Sequence, residues 1–137
     1  MAEEREEIKV RVKEKKYRGQ TLDYLKSLDV RESAKFLPSR SRRSVLRNFD
    51  KVEKFIKRCE KKIERKKRIR THLRDLVIVP KLVGMIIEVH YGRGFQEVPI
   101  TIEMIGHRLG EFALTRGRVK HSSAGIGATR GSKSIKK

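Results

Sequence analysis

Apolar residues in the centre of the chain recur at helical spacing. From residue 45 to residue 63 they follow one another at steps of four and three positions, which places them on one side of a helix. The stripe consists of Val45, Phe49, Val52, Ile56, Cys59 and Ile63, with Phe55 at its margin. Lysines and arginines occupy most of the positions between them. The pattern predicts an amphipathic helix over 41–67 with one packing face and one cationic face.

Polar residues upstream mark where helices begin and end. Pro38 followed by a stretch of serine and arginine is typical of a helix start, with Ser39 or Ser41 as the capping residue. Asp29 and Glu32 have the spacing of a capping box. The capping-box spacing predicts a short helix that stops before Pro38.

The pattern changes period in the second half of the chain. Three short runs of apolar and β-branched residues, at 76–79, 83–89 and 95–100, are separated by proline and glycine and predict three strands. Residues 91–94, Tyr-Gly-Arg-Gly, are typical of a hairpin turn. Pro99 lacks a backbone N–H, which places its strand at an edge of the sheet. The sequence therefore predicts an α+β fold, with helices packed on a small three-stranded, mostly antiparallel sheet.

The charge is large and unevenly distributed. The 137 residues include 36 lysines and arginines against 17 acidic residues, a net charge of +19. Residues 35–74 hold 17 basic and 4 acidic residues, and residues 115–137 hold 7 basic and no acidic ones. A field this concentrated repels itself unless a polyanion neutralises it, whereas a merely solvated basic face would normally include acids. Nucleic acid is the partner that this distribution favours, and we expect the last segment to become ordered only on a partner.

Several classes of protein are excluded by what the sequence lacks. No apolar run approaches the roughly 18 residues of a membrane span, and the N-terminus is too charged for a secretory signal, so we expect a soluble cytoplasmic protein. The single Cys59 cannot form an internal disulfide or begin a zinc motif. The four histidines are too scattered for a metal site. We expect no metal, no cofactor and no small-molecule substrate.

One run in the second half resembles a known family signature. Residues 104–116, Met-Ile-Gly-His-Arg-Leu-Gly-Glu-Phe-Ala-Leu-Thr-Arg, are similar to the signature of the small-subunit ribosomal protein S19 family. Further blocks occur in the family's order: Ser-Arg-Arg-Ser at 41–44, Thr-His-Leu-Arg-Asp at 71–75, Pro-Lys-Leu-Val-Gly at 80–84, and Gly-Arg at 92–93 before Phe95. Residues 119–121 and 125–129 resemble the tail of the archaeal and eukaryotic branch, and the chain is archaeal-like. Several blocks in order are far more specific than one short motif.

The resemblance implies a structural role without catalysis. A member of this family would be a constituent of the small ribosomal subunit that binds ribosomal RNA in the head and supports its architecture near the decoding side and the transfer RNA sites. Its implied partners are head-domain ribosomal RNA, neighbouring head proteins and, near the C-terminal tail, transfer RNA. The implied organisation is an N-terminal extension with short helices over 1–35, an RNA-binding α+β domain over 36–114 and a basic extended tail over 115–137.

The candidate RNA-binding residues under this interpretation are mostly cations. Arginines can fork onto phosphate oxygens, while lysines supply point charges. Gly106 and Gly110 would let the backbone approach RNA, or alternatively let the turn pack tightly on the sheet, and both interpretations stay open. The full set is Arg40, Arg42, Arg43, Arg47, Lys66, Lys67, Arg68, Arg70, His72, Arg74, Gly106, His107, Arg108, Gly110, Arg116, Arg118, Lys120, His121 and Arg130.

Three other functions fit parts of the sequence. His107 and Glu111 have the spacing of an acid–base pair, which an RNA-cleaving or RNA-modifying enzyme could use, but no nucleophile, metal cluster or phosphate loop accompanies them. A DNA-binding protein would place the 41–67 helix in a major groove, but the partner helix of a helix-turn-helix is missing. A basic amphipathic helix could lie on an acidic membrane, but its apolar face lacks tryptophan.

Overall fold

The helices precede the sheet along the chain. The computed structural model describes residues 16–118, 125, 127 and 130–133. The helices in this part are α1 (Leu22–Ser27), α2 (Val30–Ser33), α3 (Ser39–Arg47), α4 (Phe49–Glu64) and α5 (Arg130–Lys133), and the strands are β1 (Ile69–Thr71), β2 (Ile86–His90) and β3 (Phe95–Pro99). Single 3-10 turns cover Ala34–Phe36, Pro80–Leu82, Ile102–Met104 and Leu109–Phe112. This composition confirms the predicted α+β class.

The amphipathic region predicted as one helix over 41–67 is two helices. α3 and α4 are separated at Asn48, whose φ of −109° and ψ of 29° lie outside helical geometry. The apolar stripe itself is confirmed, because five of its residues are buried: Val45, Val52, Phe55, Ile56 and Cys59. Phe49 is only partly buried, and Ile63, in the last turn of α4, is 49% exposed.

The predicted helix start after Pro38 is confirmed, but the predicted serine cap is wrong. α3 begins at Ser39, and no side chain of the described residues caps its first turn. The hydroxyl of Ser41 instead donates to the carbonyl oxygen of Gly106 at 2.6 Å, which ties α3 to a turn 65 positions later in the chain. The capping box predicted at the start of α2 is present.

The sheet has the order β1-β2-β3 and is mixed. β2 and β3 pair antiparallel, from Ile86 opposite Pro99 to His90 opposite Phe95. β1 pairs parallel with β2 along a shorter ladder, so most of the paired positions are antiparallel. The hairpin predicted at 91–94 is confirmed by the hydrogen bond between the Tyr91 N–H and the Gly94 carbonyl at 3.0 Å, and β3 is an edge strand as predicted from Pro99.

The first predicted strand, at 76–79, is wrong. This segment is buried, but within the described residues it pairs with no strand and forms a single bridge, from Val77 to Arg108. Its backbone bonds to the turn around residues 106–109, for example from the Ile78 N–H to the His107 carbonyl at 2.8 Å. The strand that completes the sheet, β1, was not predicted, because three residues with an arginine in the middle carry too little apolar alternation.

Buried apolar residues join the helices to one face of the sheet. Leu37, Val45 and Phe55 from the helical part form one cluster with residues of the sheet such as Ile87 and Val98. On the other face, Arg70 of β1 and Glu97 of β3 are exposed. Among the described residues, no helix is long and apolar enough to cross a membrane.

Candidate nucleic-acid interface

Four predicted site residues lie together on α3. Arg40, Arg42, Arg43 and Arg47 are all exposed, and within the described part of the chain no acidic group lies within ion-pair distance of them. Arg42, Arg43 and Arg47 line a shallow depression with Ser39 and Leu46. Guanidinium groups without internal partners keep their donors available for an external anion.

The next group of predicted cations divides into free and paired residues. Lys66 and Lys67 are exposed at the end of α4, where Lys66 has a positive φ of 52°. Arg70 and Arg68 both pair with Glu88, at 2.6 Å between Nε and Oε2 and 3.5 Å between Nη1 and Oε1. The Glu88 side chain is only 6% exposed, so the two arginines neutralise a buried carboxylate while their own side chains stay mostly exposed.

Arg74 bonds to backbone in two separate segments of the chain. Its guanidinium donates to three backbone carbonyls: His90 at 2.6 Å, Gly110 at 2.9 Å and Ala113 at 2.6 Å. The side chain is half-buried, so these bonds join the hairpin to the signature turn. His72, two positions earlier, is exposed.

Both signature glycines are required by close packing. Gly106 has a φ of +88°, and a Cβ on it would lie 3.0 Å from Pro38 Cδ. A Cβ on Gly110 would lie 3.0 Å from the Arg74 carbonyl oxygen. A contact this short displaces its neighbour, and here the neighbours are a proline ring and backbone. Of the two interpretations left open by the sequence, these contacts support tight packing at both glycines, and contact of either glycine with RNA stays a prediction.

The side chains of the signature turn partly satisfy one another. His107 Nδ1 and Glu111 Oε2 lie 2.7 Å apart on an exposed surface, as their spacing predicted. Partial burial of Glu111 opposes its ionisation, but the hydrogen bond from the Arg108 N–H and the contact with His107 outweigh this and lower the pKa of Glu111. Arg108 keeps an exposed side chain.

The C-terminal candidates are only partly described. Arg116, Arg118 and Arg130 are exposed. Lys120 and His121 lie outside the described residues. Their assignment as RNA contacts stays a prediction.

A second cationic surface contains, apart from Lys67, residues that were not among the predicted site residues. The exposed side of α4 lines a broad groove whose residues, continuing past the helix end, are all basic: Lys54, Lys57, Arg58, Lys61, Lys62, Arg65 and Lys67. Lys57 bonds to Glu53 at 2.8 Å, and this hydrogen bond raises the pKa of Lys57. The helical spacing indicated this face, but its residues match none of the family blocks.

The described residues offer no site for a metal ion. In that part of the chain, no three histidine, cysteine or acidic side chains come close enough together to hold one. Cys59 lies in the core, where burial raises the pKa of its thiol to about 11, so the thiol stays protonated at neutral pH. Neither feature supplies a nucleophile to the exposed His107 and Glu111 pair.

Comparison with known proteins identifies relatives along nearly the whole chain. The family model described as ribosomal protein S19 matches residues 43–121. The protein named small ribosomal subunit protein uS19 from Methanocella arvoryzae is 49% identical over 119 residues, which cover 87% of this chain and 84% of that relative. The protein of the same name from Halorubrum lacusprofundi is 46% identical over 127 residues, covering 90% of each chain.

Proposed function

Because the chain belongs to the ribosomal protein S19 family, we propose that it is a structural constituent of the small ribosomal subunit that binds ribosomal RNA in the head of the subunit. It positions RNA and catalyses no reaction. It works in the cytoplasmic ribosome, with ribosomal RNA and neighbouring ribosomal proteins as its partners. The observation that carries the proposal is the set of exposed arginines on α3, which have no acidic partner among the described residues. The bond from Ser41 to Gly106 ties α3 to the signature turn.

The mechanism is neutralisation of phosphates on a rigid support. α3 presents Arg42 and Arg43 to the backbone of a folded RNA, while the bond to Gly106 keeps the helix in a constant position against the sheet. Each phosphate contact releases counterions, so affinity falls with salt. The deep groove of an RNA helix is closed to side chains, so the protein recognises the shape of the RNA.

The proposal also assigns a position to the basic tail over 115–137. In the proposed arrangement the head RNA lies against α3 and the signature turn near the decoding side, and residues 115–137 extend toward transfer RNA or a neighbouring head protein. The support is charge, because this segment has 7 basic residues and no acidic one. A segment of that composition is suited to following a phosphate backbone.

The test is the affinity of the purified protein for three ligands across a salt series: small-subunit head RNA, an unrelated structured RNA and duplex DNA. All three curves should be steep, and head RNA should keep much tighter binding at high salt. Equal affinities for the three ligands would contradict the proposal and would leave a nonspecific polyanion binder.

A charge-reversed variant locates the contact. Arg42→Glu with Arg43→Glu should weaken binding to head RNA and reduce the slope of log affinity against log salt by roughly 1.4 to 1.8, with no change in the circular dichroism spectrum. The control is Lys16→Glu with Lys35→Glu, which alters the net charge equally at two exposed residues outside α3. Equal losses in the two variants would remove α3 from the interface.

A further inference from the structure

Three aromatic residues at neighbouring positions of the three strands bring their rings together on the exposed face of the sheet. His72 follows β1, His90 ends β2 and Phe95 begins β3. The ring centroids lie 4.5 Å apart for the two histidines, 5.3 Å for His72 and Phe95, and 5.1 Å for His90 and Phe95. We call these three residues the ring row. The row joins all three strands at one end of the sheet.

Hydrogen bonds and strand pairing fix the position of the ring row. The imidazole Nδ1 of His90 accepts a hydrogen bond from the Gly92 N–H at 3.3 Å, and the His90 carbonyl accepts one from Arg74 at 2.6 Å. Phe95 faces His90 directly across the antiparallel ladder. A binding surface that is already ordered loses little conformational entropy when a ligand arrives.

His72 is the most exposed of the three residues. Its imidazole packs at an interplanar angle of 35° against His90 and at 78° against Phe95. The Arg70 guanidinium carbon lies 5.2 Å from the centroid of Phe95, and the exposed Arg93 extends from the adjacent hairpin. The row therefore combines an exposed ring with arginines that attract phosphates.

We propose that the ring row binds one unstacked base of an RNA, which stacks on the exposed His72 ring while Arg93 neutralises the neighbouring phosphate. The inference rests on the proposed RNA-binding function and adds a base contact to its phosphate contacts. A base inside a helix has both faces covered, so the ligand is a base in a loop, bulge or single strand. Stacking is tolerant of sequence, because every base has a π-face.

Ring rows of this kind also form simply because cross-strand aromatic pairs stabilise sheets. The two roles make opposite predictions for His72. In a pairing role the ring contributes to stability and RNA affinity does not depend on it. In a stacking role any aromatic ring at residue 72 supports binding, and an aliphatic side chain of similar size does not.

The experiment compares His72→Leu and His72→Phe with wild type in binding to small-subunit head RNA across a salt series at one fixed pH. His72→Leu should lose roughly tenfold in affinity with an unchanged salt slope, because stacking releases no counterions. His72→Phe should stay within about twofold of wild type. Tyr24→Leu, which removes another exposed ring on α1, is the matched control and should bind like wild type.

Two outcomes would overturn the proposal. Wild-type affinity in His72→Leu would leave the ring row a packing feature, and a loss accompanied by a shallower salt slope would make His72 a phosphate contact. A short single-stranded RNA carrying one 2-aminopurine separates this proposal from the ribosomal one. If wild type does not prefer head RNA, the proposed function fails, while quenching of the base by wild type and His72→Phe but not by His72→Leu still supports stacking.

Discussion

Two regions that both match family motifs use their polar groups in opposite ways. On α3, the side chains of Arg42 and Arg43 are exposed and without acidic partners in the described chain. Around the signature turn, Arg74 spends its donors on three carbonyls of the protein, and Gly110 is packed against the Arg74 backbone. The α3 region exposes its hydrogen-bond donors to solvent, whereas the turn region uses its donors in bonds within the protein.

The difference separates two reasons for finding a polar residue in a binding motif. An arginine without a partner in the protein contributes little to stability and is available for a ligand. An arginine bonded to several carbonyls is costly to remove, because the carbonyls lose their donors in a half-buried place. Substitutions in the turn region should therefore affect stability first, and substitutions on α3 should affect RNA affinity first.

The largest stability effect is expected at Arg74. Arg74→Ala removes three hydrogen bonds from a charged donor and should lower the free energy of unfolding by about 3 kcal/mol, measured by urea denaturation. Arg74→Lys should recover little of this, since one ammonium group cannot reproduce the planar fork. The matched control is Arg93→Ala, at an exposed hairpin residue, which should change stability by less than about 0.5 kcal/mol. If Arg74→Ala also lowered the free energy of unfolding by less than about 0.5 kcal/mol, the conclusion that Arg74 stabilises the fold while the α3 arginines do not would be wrong.

A smaller effect is expected at Gly110. Gly110→Ala places a methyl group 3.0 Å from the Arg74 carbonyl and should destabilise the fold by about 2 kcal/mol, measured by thermal or urea unfolding. Gly117→Ala is the control, because no atom of the described residues lies within 4 Å of a Cβ there. The packing interpretation also requires that head-RNA affinity, measured where the variant is folded, stays unchanged. A Gly110→Ala variant that is as stable as wild type but binds RNA more weakly would show that Gly110 contacts RNA.

The smallest effect is expected at Glu111 and depends on pH. Its pKa is lowered in the folded protein, so ionised Glu111 stabilises the fold above its unfolded pKa of about 4.3, and the contribution is lost as the pH falls through the folded value. Glu111→Gln should lower the melting temperature slightly near neutral pH, by an amount equivalent to less than about 1 kcal/mol. The two proteins should melt together in strong acid. A difference that persists in acid would assign the effect to packing.

Local patterns predicted the features that depend on near neighbours in sequence. The stripe through Val52 and Cys59 follows from helical spacing, and the hairpin at 91–94 follows from two glycines between apolar runs. Pro99 predicted that β3 is an edge strand, because a residue without an N–H cannot donate a hydrogen bond to a second neighbouring strand. The concentration of positive charge in residues 35–74 and 115–137 also follows from the sequence alone. Together these features, with the family blocks, determined the α+β class and the nucleic-acid partner.

Tertiary structure alone decided which residues are paired, buried or free. β1 exists because Ile69 and Thr71 pair with a strand some twenty positions away, and three residues carry no period of their own. The bond from Ser41 to Gly106, the clasp of Arg74 and the ring row across the sheet each join segments far apart in sequence. A side chain's role depends on whether the fold supplies its hydrogen-bond partner, and that partner comes from a distant segment that local sequence cannot specify.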